Sequence, residues 1–267
     1  MSDVFYRNHM GSDLEVVNDA RISFAAASEA RRWHEVDIPH PCENAAQRTA
    51  RTPELCLADV GLIRFLARGC RQADWERYVS ELRDVYGTDQ IETLLNHLRR
   101  MPTHWTPFGQ QVVKLRLKAP VPIRTQAYKS KIGFVENEES RRYIDSTPEL
   151  FIPEFRSRPE GSIKQGSGGP HPARKSWKAT YKRLCGDAIE CYEAMILDGI
   201  APEQARFVLP QGVYVNWVWT GSLYAYAEFF NKRSDRSHAQ GEIADLADEI
   251  AAIIRPLFPV SWAALTA

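Results

Sequence analysis

Residues 124–143, RTQAYKSKIGFVENEESRRY, gather Arg124, Lys129, Lys131, Glu138, Ser140, Arg141, Arg142 and Tyr143 into one short stretch. Arginine and lysine suit phosphate, and the guanidinium fork can grip it with two parallel hydrogen bonds. Carboxylate and hydroxyl groups suit ribose hydroxyls or a base edge. The competing reading is a solvated helix face of mixed charge. A second candidate is Arg206 in EQARFVLP (203–210), where a cation among apolar neighbours needs a partner. A third is Arg233, which ends the aromatic segment WVWTGSLYAYAEFFNKR and otherwise reads as a cation complementing a helix C-terminus. KQGSGG (164–169) resembles a phosphate cradle, although a lone glycine-rich loop specifies little, and His104 in THWTPF is a further candidate. The chain lacks GxGxxG, GxxxxGK[ST] and HExxH patterns, and it has no GxSxG elbow. Its histidines show no metal-ligand spacing, so no metal is expected.

These groups need a scaffold, and hydropathy patterning supplies one. Residues 112–118, VVKLRLK, alternate Val113, Leu115 and Leu117 with Lys114, Arg116 and Lys118, which predicts a half-buried strand stopped by Pro120 and Pro122. Helical spacing is predicted over 54–70, 74–86 and 176–198. The last places Trp177, Tyr181, Leu184, Ala188, Tyr192 and Met195 on one face, with Gly199 as a stop. Pro202 suits a first helical position, and Glu203–Val208 can form a short helix. Two more helices are predicted at about 220–233 and 237–256, and 156–174 reads as a long loop. The class is α+β, with mixed helices around a small antiparallel sheet, in a single domain over 1–267.

Composition narrows the function classes. The 267 residues carry 34 Lys+Arg and 34 Asp+Glu, with 44% hydrophobic residues, which is ordinary globular usage. Neutrality argues against nucleic acid or a membrane surface as partner. The average hides a basic stretch: residues 112–183 contain 16 Lys+Arg and 7 Asp+Glu. The cysteines Cys42, Cys56, Cys70, Cys185 and Cys191 are odd in number and lack CxxC spacing, which predicts reduced thiols. No apolar run approaches the roughly 18 residues of a membrane span, and residues 1–18 lack a signal-peptide core, so a cytoplasmic protein is expected.

Several motifs recur together in a known order. GSDLEVVNDARISF (11–24) resembles the N-terminal strand and helix of the flavin-dependent thymidylate synthase family, with Ser23 in its ARxSF position. HWTPF (104–108) resembles that family's HxSPFEH, with Gly109 and Gln110 replacing the Glu and His. KAP (118–120), Gln126, NEESRRY (137–143), EQARFVLP (203–210), WT (219–220) and the R-x5-AQ-x-EI run from Arg233 to Ile243 follow in register. The family's Arg-His-Arg triplet falls on Lys129, Ser130 and Lys131, with one extra residue before Asn137. That lysine-centred form and Lys164–Ser167 resemble a divergent branch frequent in phages. A helical insertion near 71–100 exceeds the usual family length.

The resemblance implies a homotetramer with active sites between subunits. It also implies FAD reduced by NADPH, and methylenetetrahydrofolate as one-carbon donor to C5 of dUMP. Carried over by position, Gln126, Lys129, Glu138, Glu139, Ser140, Arg141, Arg142, Arg206 and Arg233 would meet the nucleotide. Arg233 would polarise the uracil, and Ser140 would lie near C6. Ser23, His104, Thr106, Lys129, Ser130, Lys131, Glu138, Ser222, Tyr224 and Glu228 match flavin-contacting positions, with Ser222 and Tyr224 standing where the family has Asn and Arg. Alternatives within the same chemistry are a UMP methylase of modified-nucleoside or nucleoside-antibiotic biosynthesis and a phage-type dUMP hydroxymethylase. An inactive flavin- or nucleotide-binding homologue is the alternative of a different class.

Overall fold

The structure is a computed structural model, and it describes residues 2–22, 26–39, 48–68, 80–81, 83–85, 87, 104–159 and 167–266. The predicted insertion falls almost wholly outside them, as do Ser23, Cys42, Cys70 and Lys164–Gly166. The chain divides into two compact units. Unit 1 comprises Met1–Phe5, Leu115–Thr220 and Phe229–Ile250; unit 2 comprises Tyr6–Lys114, Gly221–Glu228 and Ala251–Ala267. Among the described residues no helix is long and apolar enough to cross a membrane.

The architecture is α+β, as expected. A four-stranded antiparallel sheet has the order β1 (Asp3–Met10), β4 (Val112–Pro120), β6 (Tyr214–Ser222), β5 (Phe134–Glu138). A separate antiparallel pair joins β2 (Arg32–Ile38) to β3 (Arg48–Glu54), with Arg32 opposite Glu54 and Ile38 opposite Arg48. In β4 the predicted alternation holds: Val113, Leu115 and Leu117 are buried while Lys114 and Arg116 face water. Strand β6 was not expected. Its aromatic run continues into the next helix, so the change of period is hard to see in sequence, yet Trp217 and Trp219 on alternate positions are fully buried.

Helix α1 (Asp13–Arg21) is N-capped by Ser12, whose Oγ accepts from Leu14 N at 3.2 Å and donates to the Glu15 carboxylate. Gly11 before it has φ +93°, and any Cβ there would meet Gln111 Oε1 at 1.7 Å, so the turn demands glycine. Helix α2 (Leu57–Arg68) buries Ile63 and Leu66. Short helices α3 (Thr106–Gln110) and α4 (Val121–Ala127) bracket β4, and Pro107 and Pro122 sit in their first turns, where a missing N–H costs nothing.

Helix α5 (Arg174–Leu197) covers the predicted 176–198 span and ends before Gly199 at φ +86°. Its expected apolar face is only partly right. Tyr192 is buried, but Trp177 is 56% and Leu184 54% exposed, because the packed face is rotated toward Cys185. Helix α6 (Pro202–Ala205) and the 3-10 turn Arg206–Val208 match the short helix expected there. Helix α7 (Leu223–Arg233) begins later than predicted, because β6 takes its first residues. Helix α8 (Gly241–Leu257) buries Ile243, Ala244, Leu246, Ala247 and Ile250, the i, i+3, i+4, i+7 pattern of an amphipathic helix. A final helix α9 (Pro259–Thr266) was not expected; Asp13, fully buried, accepts from Val260 N at 2.8 Å and Ser261 N at 2.9 Å and so caps it.

Within unit 1, Trp219 is the central packing residue. Phe134 stacks on it with centroids 4.0 Å apart, and Phe229 meets it edge-on at 5.2 Å. Trp219→Ala should therefore destabilise the fold by about 3–5 kcal/mol, the usual cost of deleting a large buried aromatic. Chemical denaturation should show this as a lower midpoint.

Glu249 on α8 accepts from Ser2 Oγ at 3.3 Å. Burial, aided by Asp3 and Asp245, pushes its carboxyl up to about 7. A carboxyl raised in the folded state binds extra protons between its unfolded pKa and about 7, so stability falls as pH rises through that window. Glu249→Gln should raise Tm at pH 8 by about 2–4 °C, corresponding to roughly 1 kcal/mol, with a smaller gain at pH 5. Thermal scans at the two pH values check this.

Candidate functional site

The basic stretch singled out in the sequence is divided among a helix, a turn and a strand. Helix α4 carries Arg124 and Gln126, a turn carries Lys129–Gly133, and β5 delivers Glu138. Residues 139–143 then form an irregular turn instead of a helix, because Glu139 is held on β6. Its N–H donates to Asn216 O at 3.0 Å, and its carboxylate accepts from Asn216 Nδ2 at 3.1 Å. Gly133, at φ +79°, allows the chain to reverse into β5.

All predicted nucleotide-facing residues lie in unit 1. Arg124 Nε lies 3.2 Å from Glu138 Oε2, and both side chains are about three-quarters buried. Burial raises the Glu138 carboxyl above its ordinary range; Arg124 and Tyr128 oppose the shift, and Glu139 adds to it. Gln126 Nε2 donates to Gln240 Oε1 at 2.7 Å, and the buried Gln126 Oε1 has no partner among the described residues. Ser140 Oγ accepts from both the backbone N and Nε of Arg142, each at 3.3 Å. A hydroxyl that accepts twice has its own proton left to donate outward. Arg142 also lies over the exposed Tyr143 ring at 5.0 Å.

The remaining predicted residues divide by what they touch. Arg141 donates to Ser146 O, an internal use, and Glu139 is committed to Asn216. Lys129 is exposed; Lys131 pairs with Glu136 and lies 5.1 Å from the Tyr128 ring. Arg206 is half-buried instead of enclosed by apolar neighbours, and its Nε donates to Glu203 O at 3.2 Å. Arg233 closes α7, and its buried Nε has no hydrogen-bond partner among the described residues. An unpartnered guanidinium nitrogen is costly unless a ligand satisfies it.

Unit 2 brings together most of the other predicted flavin positions. His104 stacks on Phe65 at 5.7 Å, and Thr106 opens α3. Trp105 contacts the Tyr224 ring at 5.7 Å. Ser222 Oγ accepts from Ala225 N at 3.2 Å and so caps α7. Burial, reinforced by Glu228 one turn on, raises the Tyr224 phenol.

The sequence reading counted Arg124 among the candidate phosphate-binding cations, not as a partner of Glu138, and gave no role to Tyr128, Asn216 or Gln240. Arg124 and Tyr128 are four residues apart on one helical face, and Gln240 belongs to the AQ-x-EI run, so both signals were present. Asn216 carried none, because its partner is distant in sequence. Among the described residues no group of three His, Cys, Asp or Glu side chains could hold a metal ion. Cys56, Cys185 and Cys191 are free thiols.

Comparison with known proteins identifies the family. The family described as thymidylate synthase complementing protein (Thy1) matches residues 8–260. A flavin-dependent thymidylate synthase from Anaplasma marginale is 31% identical over 220 residues, covering 79% of this chain and 74% of its own length. One from Kosmotoga olearia is 32% identical over 165 residues, covering 60% of this chain and 70% of its own. In fold, the chain is similar to a UMP/dUMP methylase, PolB from Streptomyces cacaoi, crystallised with 5-Br dUMP. That match has a TM-score of 0.69 and 23% identity, over 100% of this chain and 95% of the other. By the span of its sequence match and the identity it shares with these relatives, the chain belongs to the flavin-dependent thymidylate synthase (Thy1) family of enzymes.

Proposed function

We propose that the protein methylates C5 of a uridine monophosphate, with dUMP as substrate and dTMP as product. The observation that carries this reading is the unmet hydrogen-bonding capacity kept among the motif-position residues Gln126, Glu138, Ser140, Arg142, Arg206 and Arg233, all of unit 1. Several keep unmet capacity: Gln126 Oε1 as an acceptor, Arg233 Nε as a donor, and the Ser140 hydroxyl proton. In this reading Arg142 and Arg206 bind the nucleotide phosphate. Gln126 and Glu138 accept from sugar hydroxyls or base N–H groups. Arg233 stabilises negative charge developing on the uracil, a preorganised electrostatic contribution that is often the largest in catalysis. Ser140 donates toward the base near C6.

The residues present suit FAD. Lys129 and Lys131 offer two exposed cations to its phosphates, though as point charges without the planar fork of arginine. His104, Thr106, Ser222, Tyr224 and Glu228 supply polar and ring contacts in unit 2. Bound FAD would carry reducing equivalents from NADPH to the one-carbon unit of methylenetetrahydrofolate. The relatives' family name supports the flavin, whereas the reductant, the folate and a homotetramer with shared active sites belong to the proposal. UMP is a second candidate substrate, because the similar PolB fold was crystallised with both 5-Br dUMP and 5-Br UMP.

The test is direct. Purified protein should show bound flavin in its visible spectrum and convert dUMP in the presence of NADPH and methylenetetrahydrofolate. UMP turnover is assayed separately, and product mass distinguishes methyl from hydroxymethyl. Absence of both flavin and turnover would remove the reading and favour an inactive homologue. Arg233→Ala should fold normally and lose about 100-fold or more in kcat/KM, the usual scale for deleting one preorganised charge stabiliser. A near-normal rate would show that the activating cation lies elsewhere.

None of the five cysteines falls within a matched motif, and a hydride route needs no thiol nucleophile on C6. A variant lacking all five should therefore retain turnover per folded molecule. Retained folding with lost turnover, read by circular dichroism alongside the assay, would contradict this.

A further inference from the structure

We propose that Arg124 and Tyr128 are positioning residues that hold the Glu138 carboxylate as an oriented acceptor for a ligand hydroxyl or N–H. The ligand role rests on the nucleotide reading above, whereas the three-residue unit itself does not. Neither Arg124 nor Tyr128 lies in a motif shared with the family, and each reaches Glu138 from the same element.

Arg124 lies on α4 and Tyr128 at its C-cap, one turn apart. The guanidinium carbon stands 5.2 Å from the Tyr128 ring centre, so the cation rests against the ring face while its Nε lies 3.2 Å from Glu138 Oε2. Trp217, fully buried, meets the Tyr128 ring edge-on at 6.0 Å and limits its swing. Arg124 Nε, Tyr128 Oη and Glu138 Oε2 are all buried, and the neutral Tyr128 hydroxyl stabilises the carboxylate as a hydrogen-bond donor. The buried Oε2 is thus fixed by charge, by Tyr128 and by packing, while Oε1, which takes no hydrogen bond among the described residues, keeps acceptor capacity for an incoming group. A bidentate salt bridge would have used that capacity up.

The electrostatics have a definite sign. Burial favours the neutral acid of Glu138, Glu139 beside it does the same, and Arg124 and Tyr128 favour the carboxylate. Tyr128 itself is pushed upward by burial and then by the charges of Glu138 and Glu136, so it stays a neutral donor at working pH. Across the strand, Asn216 on β6 holds Glu139 and contributes no charge. Lys131 faces Tyr128 and is paired with Glu136. The ionised carboxylate is the stronger acceptor, so ligand affinity is highest above the Glu138 pKa and falls as pH drops through it. Removing Arg124 raises that pKa further, and the acid limb moves to higher pH.

Two measurements on the full chain test this. In the first, a double-mutant cycle of Arg124→Gln and Glu138→Gln is followed by thermal unfolding without ligand. The effects should be non-additive at pH 8, and the coupling should shrink at pH 5. In the second, dUMP and UMP affinities are measured by calorimetry from pH 5 to 9. Arg124→Gln should shift the acid limb upward by about one pH unit, the lower end of what an opposite charge at this distance produces. Tyr128→Phe should shift it in the same direction, Arg124→Lys should restore part of it, and Glu138→Gln should abolish it. Additive unfolding with an unmoved limb would overturn the proposal. A loss of affinity uniform across pH would assign Arg124 a packing role and overturn it equally. Coupling in the cycle with no binding of either nucleotide by the wild type would instead overturn the ligand role and the functional reading, and leave the three-residue unit standing.

Discussion

One aromatic contact organises unit 1. Trp219 on β6 is sealed from water, stacked against Phe134 at the start of β5 and met edge-on by Phe229 in α7. Glu138 lies four positions after Phe134, and Arg233 four positions after Phe229. Each neighbour of Trp219 is therefore a short lever ending in a group proposed to meet the nucleotide. Strand β5 is brief, and an isolated strand of that length is not stable alone. Its placement depends on this stack and on the Glu139–Asn216 clamp at its far end.

The second organising constraint is charge. A neutral chain gathers its cations into one stretch, and the structure shows how they coexist. Arg124 has Glu138, Lys131 has Glu136, Lys118 has Glu149 at 2.5 Å, and Arg156 grips both oxygens of Glu242 at 2.7 and 2.5 Å. Exposed pairs of this kind contribute little stability, about 0–1 kcal/mol each. Their effect here is to leave a subset of donors uncommitted. The partly buried Arg124 pair is different, because desolvation makes both its repulsions and its attractions stronger.

How much of this could be read beforehand depended on period and distance. Strand β4 was legible because its alternation is strict and one face is charged. Helix α5 was legible in extent, yet its apolar residues do not all point inward, and Trp177 and Leu184 show that hydrophobicity does not fix which face packs. Strand β6 was hidden because its aromatic run passes without a break into α7. Site residues at motif positions were recognisable individually. What sequence could not supply was their pairing: that Glu139 belongs to Asn216, that Arg141 serves the loop at Ser146, and that Gln240 orients Gln126. Each involves a partner chosen by the turn of the chain.

Glu138 and Glu139 are chemically identical neighbours, and only their phase on the strand distinguishes them. Because side chains alternate across a sheet, a slip of one position would exchange their places. Glu139 would then face Arg124, and Ser140 would move with it. The paired bonds to Asn216 act as a ratchet tooth that selects one phase. Single-residue insertions or deletions between Gly133 and Ser140 are therefore the sequence changes this chain can least absorb. They would leave every side chain present and deliver the wrong carboxylate.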